Sequence, residues 1–219
     1  MLFSIITNGD DKMTIIKKLI TATSAIAMMA LATPSMASEG VMQKDQKSDS
    51  AYMKVYSETL PPIGFVQFCQ TTPEDCGGTL GEAVRVVMNN DRWNDLNTVN
   101  LKANETVEAV EDIDLYKVKE YWTYPGAQGD CEDYVLLKRK KLMMMGWPSE
   151  ALLITVLRDE NNEGHAVLTV STDKGDFILD NRRDEILPWT ATDYTYYKRQ
   201  SQVDPWRWVS LKSNKLAMR

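Results

Sequence analysis

The order of elements predicts an α+β domain, with N-terminal helices packed on an antiparallel sheet. Three observations carry this. Apolar residues recur at helical spacing between about 80 and 101, and residues 131–145 have the length and composition of a second helix. Three strand-like runs then follow, 151–157, 165–171 and 176–180, separated by turn-rich segments too short to hold a crossover helix. Helices grouped before strands, rather than alternating with them, suit helices packed on an antiparallel sheet.

In chain order, residues 1–37 read as a targeting segment. Lys17 and Lys18 form a basic start, 19–32 is apolar or small and uncharged, and Ser35-Met36-Ala37 offers small residues for cleavage. This is the pattern of a secretory signal peptide, and the alternative is an uncleaved anchor. Translation starts at Met1 or, since 1–12 precede an otherwise ordinary signal, at Met13. The expected location is periplasmic. Removing 1–37, with three lysines against two aspartates, leaves 182 residues and takes the net charge from −6 to −7. That acidity argues against nucleic acid as a partner, and the length suits one domain.

Residues 38–60 are polar and read as a flexible lead-in, with the domain spanning 61–219. From Thr79, the residues Leu80, Val84, Val87 and Met88 predict a helix. Asn89-Asn90-Asp91 is a break or cap, and Trp93, Leu96, Val99 and Leu101 continue the stripe. In the 131–145 helix, Asp130 is suited to the N-cap. Glu132 and Asp133 suit the positive end of the dipole, and Gly146 and Pro148 stop the helix. The run 151–157 is almost all apolar or β-branched, as a central strand would be. The C-terminal aromatics Trp189, Tyr194, Tyr196, Tyr197, Trp206 and Trp208 pack the tail onto the domain or line a substrate groove.

Three cysteines lie beyond the signal. Cys69 and Cys76, with Pro73 between them and Gly77-Gly78 after, are the simplest disulfide in an oxidising compartment, which leaves Cys131 free. Pairing of Cys131 with either of the others is the alternative. Cys131 stands at a helix start, where a thiolate is favoured, but between Asp130, Glu132 and Asp133, which oppose it. It therefore needs an imidazolium, and His165 is the sole histidine of the chain. If Asp173-Lys174 forms the hairpin loop, Asp180 lies diagonal to His165 on one face. If Thr172-Asp173 does, the two face each other. Either register sets an orienting carboxylate beside the imidazole, so Cys131, His165 and Asp180 form a candidate triad. The acids around Cys131 read as a solvated helix cap or as a calcium site.

Trp122-Thr123-Tyr124-Pro125, Gly129-Asp130-Cys131-Glu132-Asp133-Tyr134, Gly164-His165-Ala166-Val167-Leu168 and Leu179-Asp180-Asn181 together resemble the bacterial transglutaminase-like cysteine proteinases. The resemblance runs from Pro61 to about Trp208. It implies a papain-like, transglutaminase-like fold, with Cys131 as nucleophile, His165 as general base and acid, and Asp180 as its orienter. In the LapG-type periplasmic branch, acids matching Asp130 and Glu132 hold Ca2+. Those enzymes cleave a surface adhesin to release biofilm and are sequestered by an inner-membrane receptor. The resemblance thus implies an exported cysteine endopeptidase acting on a periplasmic or surface protein. Acyl transfer to an amine, and a calcium-responsive binding module without turnover, are the alternatives.

Overall fold

A buried helix lies against one face of a seven-stranded antiparallel sheet in the computed structural model, which describes residues 50–76 and 81–213. The elements are β1 (Ser57–Thr59), α1 (Ile63–Thr71), α2 (Pro73–Cys76), α3 (Asn90–Thr106), β2 (Glu108–Ala109), α4 (Asp112–Leu115), β3 (Gln128–Gly129) and α5 (Cys131–Met144). After a 3-10 turn at Ser149–Ala151 come β4 (Leu152–Arg158), β5 (Gly164–Thr172), β6 (Gly175–Asp180) and β7 (Arg183–Pro188). A second 3-10 turn at Trp189–Ala191 leads to β8 (Thr195–Gln200) and β9 (Trp208–Ser210). The strand order is β1-β9-β8-β4-β5-β6-β7, and β2 and β3 make a separate parallel pair. The chain is therefore an α+β protein, and the expected central strand is β4, fourth of the seven. The signal segment and residues 38–49 lie outside the described residues. Among the described residues no helix is long and apolar enough to cross a membrane.

The period of two along the strands sorts two cores onto opposite faces. Ala166, Leu168, Val170 and Leu179 join the helices in the larger cluster, with Leu96, Val99, Val135, Leu142 and Trp208. Val167 and Ile178 join Met53, Leu157, Trp189, Tyr194 and Tyr196 in the second. So β5 is buried along all but its first residue, and the tail aromatics Trp189, Tyr194, Tyr196 and Trp208 are core, while Tyr197 and Trp206 stay exposed.

Helix α5 ends as its sequence predicts. Gly146 takes φ +83, the Trp147 N–H bonds the Leu142 carbonyl at 3.1 Å, and the Gly146 N–H bonds that of Met143 at 3.0 Å. This is the left-handed glycine stop that few other residues adopt. The helix is buried on most of its circumference, Lys138 and Arg139 included, because it is wedged between α3 and the sheet.

Two expectations need correction. No helix precedes Asn89 among residues 81–88. That stretch is extended, and Val86 pairs in parallel with Thr172, its N–H bonding the Ser171 carbonyl at 3.1 Å. β-branched Val84, Val86 and Val87 favour that extended form. Asn89 is instead the N-cap of α3, accepting from the Arg92 N–H at 2.8 Å, and Leu101 is exposed while Asn100 and Ala103 turn inward. Second, part of the expected lead-in is tied to the domain, with Met53 buried. The Met53 N–H donates to Asp176 Oδ2 at 2.9 Å, and β1 pairs with β9. That carboxylate is itself held by buried Arg199 at 3.1 Å, a partner no local pattern discloses.

Cys69 and Cys76 form the disulfide, tying α1 to α2, and Cys131 is free. Both half-cystines are buried, so the bridge holds core residues as well as closing a short loop. The Cys69→Ala, Cys76→Ala double variant is expected to lose about 2 kcal/mol by chemical denaturation, the chain-entropy value for so short a loop.

Candidate active site

The site is built on the N-terminus of α5. Asp130 occupies the N-cap position, but its side chain does not cap the helix; its Oδ2 instead accepts from the Asp112 N–H at 3.2 Å. The expected Asp130 cap is thus replaced by a loop contact. The third helical residue ties the same helix start to the loop: Asp133 accepts from the Thr123 N–H at 2.9 Å. Asp112 in turn accepts from the Tyr121 N–H through its Oδ2. The carboxylates therefore stitch the 110–124 loop to the start of the helix. Gly129 makes this possible, because a Cβ there would sit 2.7 Å from Asp133 Oδ2 and 2.9 Å from Pro125 Cβ.

Cys131 is the first residue of α5 and partly buried. Its thiol donates to Glu132 Oε2 at 3.1 Å. Desolvation pushes the thiol well up. Glu132 and Asp130 push it further, and the Ala166 N–H pulls the other way. The opposition that the acidic flanks suggested is therefore real in this protein.

His165 is the second residue of β5 and Asp180 the last of β6. Thr172 pairs with Gly175 across a two-residue Asp173-Lys174 loop, the first of the two registers considered, and His165 Nε2 lies 2.9 Å from Asp180 Oδ1. Both side chains are fully buried. The Asp180 carboxylate also accepts from the Arg182 N–H at 3.0 Å and from the Tyr194 hydroxyl at 2.5 Å. Burial alone would raise this carboxyl, but those donors, His165 foremost, outweigh it and hold it at about 2. An ionised carboxylate only accepts, so Nε2 carries the proton, and Nδ1, buried and without a protein partner, has its lone pair free.

A linkage prediction follows from Asp180. Its folded value is about 2, below the ordinary 3.8. The stabilisation is present above pH ~4 and is lost as pH falls through ~2, about 2 kcal/mol in all. Urea midpoints measured from pH 5 to pH 2 should fall across that window.

Asp112, Asp130 and Glu132 form the group suited to a cation. All three are buried, and each offers an oxygen within 4.8 Å of the others. Asp112 Oδ1, Asp130 Oδ1 and Asp133 Oδ2 have no partner. Desolvation, with Asp130 adding, raises Asp112 to about 6, and desolvation raises Asp133 to about 8 and Glu132 higher than an ordinary glutamate. Buried carboxylates with unmet oxygens are the donor set a hard cation takes. Sequence reasoning reached Asp130 and Glu132 but missed Asp112, which lies 18 residues upstream of Asp130 among Glu111 and Asp114 with nothing local to single it out.

A free thiol at a helix start and a buried histidine oriented by an aspartate are the components of a papain-like cysteine hydrolase site. The sequence model of one family, the bacterial transglutaminase-like cysteine proteinases, matches residues 55–216, and the chain belongs to that family. No curated protein matches the chain. Among solved structures, the calcium-bound LapG of Legionella pneumophila is 26% identical, with a TM-score of 0.45, over 49% of this chain and 64% of that one. Another LapG structure from the same organism is 28% identical, with a TM-score of 0.44, over 49% and 63% of the two chains. An EGTA-treated LapG gives 28%, 0.44, 49% and 62%. The chain thus spans less than two thirds of the length of these structures.

Proposed function

We propose that this protein is an exported cysteine endopeptidase using Cys131, His165 and Asp180. The observation that carries the reading is the fully buried His165–Asp180 pair, whose Nδ1 has no protein partner, in a chain whose one free cysteine starts helix α5. In this reading the Cys131 thiol passes its proton to Nδ1 and the sulfur attacks a peptide carbonyl. The C–N bond then breaks as the imidazolium protonates the leaving amine, and water hydrolyses the thioester through the same base. The Cys131 backbone N–H, first of the helix and without an acceptor four residues back, is an oxyanion donor. The substrate is a polypeptide met in the periplasm or at the surface. The motifs resembling the LapG-type branch make a surface adhesin the first substrate to test and an inner-membrane receptor the first regulator.

Incubating the purified protein with a peptide library and an added primary amine, read by mass spectrometry, tests this. New free carboxyl termini are expected. Amine adducts in their place would favour acyl transfer, and neither product would defeat the enzymatic reading.

The same reading assigns Asp112, Asp130 and Glu132 to Ca2+, whose charge would offset the carboxylates that push the Cys131 thiol up. Calcium should raise the melting temperature by several degrees, and Asp112→Asn should abolish most of that rise. Because the cation competes with protons on Asp112, whose carboxyl lies near 6, and on Glu132, raised to about 9, the rise should grow from pH 5 to pH 8. A melt indifferent to calcium and chelator removes the ion from the account.

A further inference from the structure

We propose that Tyr194 is a fourth member of the site, a positioning residue that fixes the Asp180 carboxylate and, through it, the His165 ring. This rests on the reading of Cys131, His165 and Asp180 as a triad.

The carboxylate has two oxygens with different duties. Oδ1 takes His165 Nε2 at 2.9 Å and the Arg182 N–H at 3.0 Å. Oδ2 takes the Tyr194 hydroxyl at 2.5 Å, and its remaining neighbour is Arg183 Nε at 3.8 Å, on a side chain 36% exposed. The last torsion of an aspartate is soft. Without a firm bond on Oδ2, the carboxylate plane could turn, and Oδ1 would leave the line of the imidazole. Tyr194 supplies that bond from a buried position.

The same residue also meets the imidazole directly. Its ring stands edge-on to that of His165, 5.8 Å between centroids at 74°. The tyrosine is itself held: Arg183 Nη2 donates to its hydroxyl at 3.3 Å, and Tyr196 packs against it at 6.4 Å. The resulting relay, Arg183 to Tyr194 to Asp180, is a chain of donors in which each bond polarises the next. Burial and the Asp180 charge keep the tyrosine proton in place. Tyr194 immediately precedes β8, which pairs with β4 and not with β5 or β6, so it braces the couple from an independent strand.

Because His165 is the sole histidine, its ring protons can be read without overlap by nitrogen-15 NMR. Tyr194→Phe keeps the ring and removes the donor. In this variant the His165 Nε2–H resonance should shift and exchange faster with water. Alkylation of Cys131 by iodoacetamide should slow about tenfold, with a melting temperature high enough that the protein is fully folded under assay. A resonance superimposable on the wild type, with alkylation unchanged or reduced only by the unfolded fraction, overturns the proposal. If the variant does not fold, the Tyr194 hydroxyl proton is sought in the wild type: a slowly exchanging signal supports its bond to Asp180, and its absence refutes it. His165→Ala separates the two levels of the account. If it alkylates like the wild type, the triad reading falls and the Tyr194 role with it. If it is slow while Tyr194→Phe is normal in rate and resonance, only the Tyr194 role falls.

Discussion

Cys131→Ala should abolish peptide cleavage, lowering kcat by on the order of 10⁵- to 10⁶-fold, the scale seen when a covalent nucleophile is removed. No other group can replace it, since Cys69 and Cys76 are joined in a buried disulfide. The fold should not suffer. Alanine is a good first residue for a helix, and the sulfur is desolvated and opposed by Glu132 and Asp130. The melting temperature of Cys131→Ala should therefore equal or exceed that of the wild type. This makes it the appropriate inactive control for finding substrates. In exported and surface proteins, a new N-terminus present with wild type and absent with the variant identifies the cleaved polypeptide.

Asp180→Asn should have the second largest effect, and on two observables. The amide preserves volume but no longer demands a proton on Nε2, so the free lone pair is no longer confined to Nδ1. A loss of about 10⁴-fold in kcat, with KM little changed, is the expected scale for removing the orienter of a catalytic histidine. Stability should fall as well, because His165, Tyr194 and the Arg182 N–H lose a charged acceptor inside the protein. About 2–3 kcal/mol is expected at pH 7. The variant should also lack the part of the acid dependence between pH ~4 and ~2 that Asp180 contributes, so its stability curve and the wild type's should approach each other at low pH. Parallel curves would mean that the carboxylate is not held as described.

What the sequence disclosed about this site followed from short-range rules. The stop at Gly146, the strands on either side of Asp173-Lys174, and the pairing of Cys69 with Cys76 each depend on residues close together in the chain. The His165–Asp180 couple was legible for the same reason, since a two-residue loop fixes which side chains share a face. What was hidden depends on long-range partners. Val86 is drawn into extended pairing by Thr172, Met53 is anchored by Asp176, and Asp112 reaches Asp130 only after the loop has folded back. Tyr194 stood among six tail aromatics that all looked alike; only its distance to Asp180 distinguishes it. Asp130 had the right identity for an N-cap, but a competing donor, the Asp112 N–H, took its side chain. Helix α5 shows no clean apolar stripe, because it is enclosed on most sides and carries charged side chains into the interior, Lys138 among them, which bonds Asn100 Oδ1 at 2.7 Å.

The central claim is that the Cys131 sulfur is made nucleophilic by His165. Labelling with a peptidyl chloromethyl ketone, followed by mass spectrometry of the intact protein, tests it directly. The account predicts one adduct per chain, on Cys131, formed rapidly in the wild type and slowed at least a hundredfold in a folded His165→Ala variant. Equal labelling of His165→Ala and wild type would contradict it.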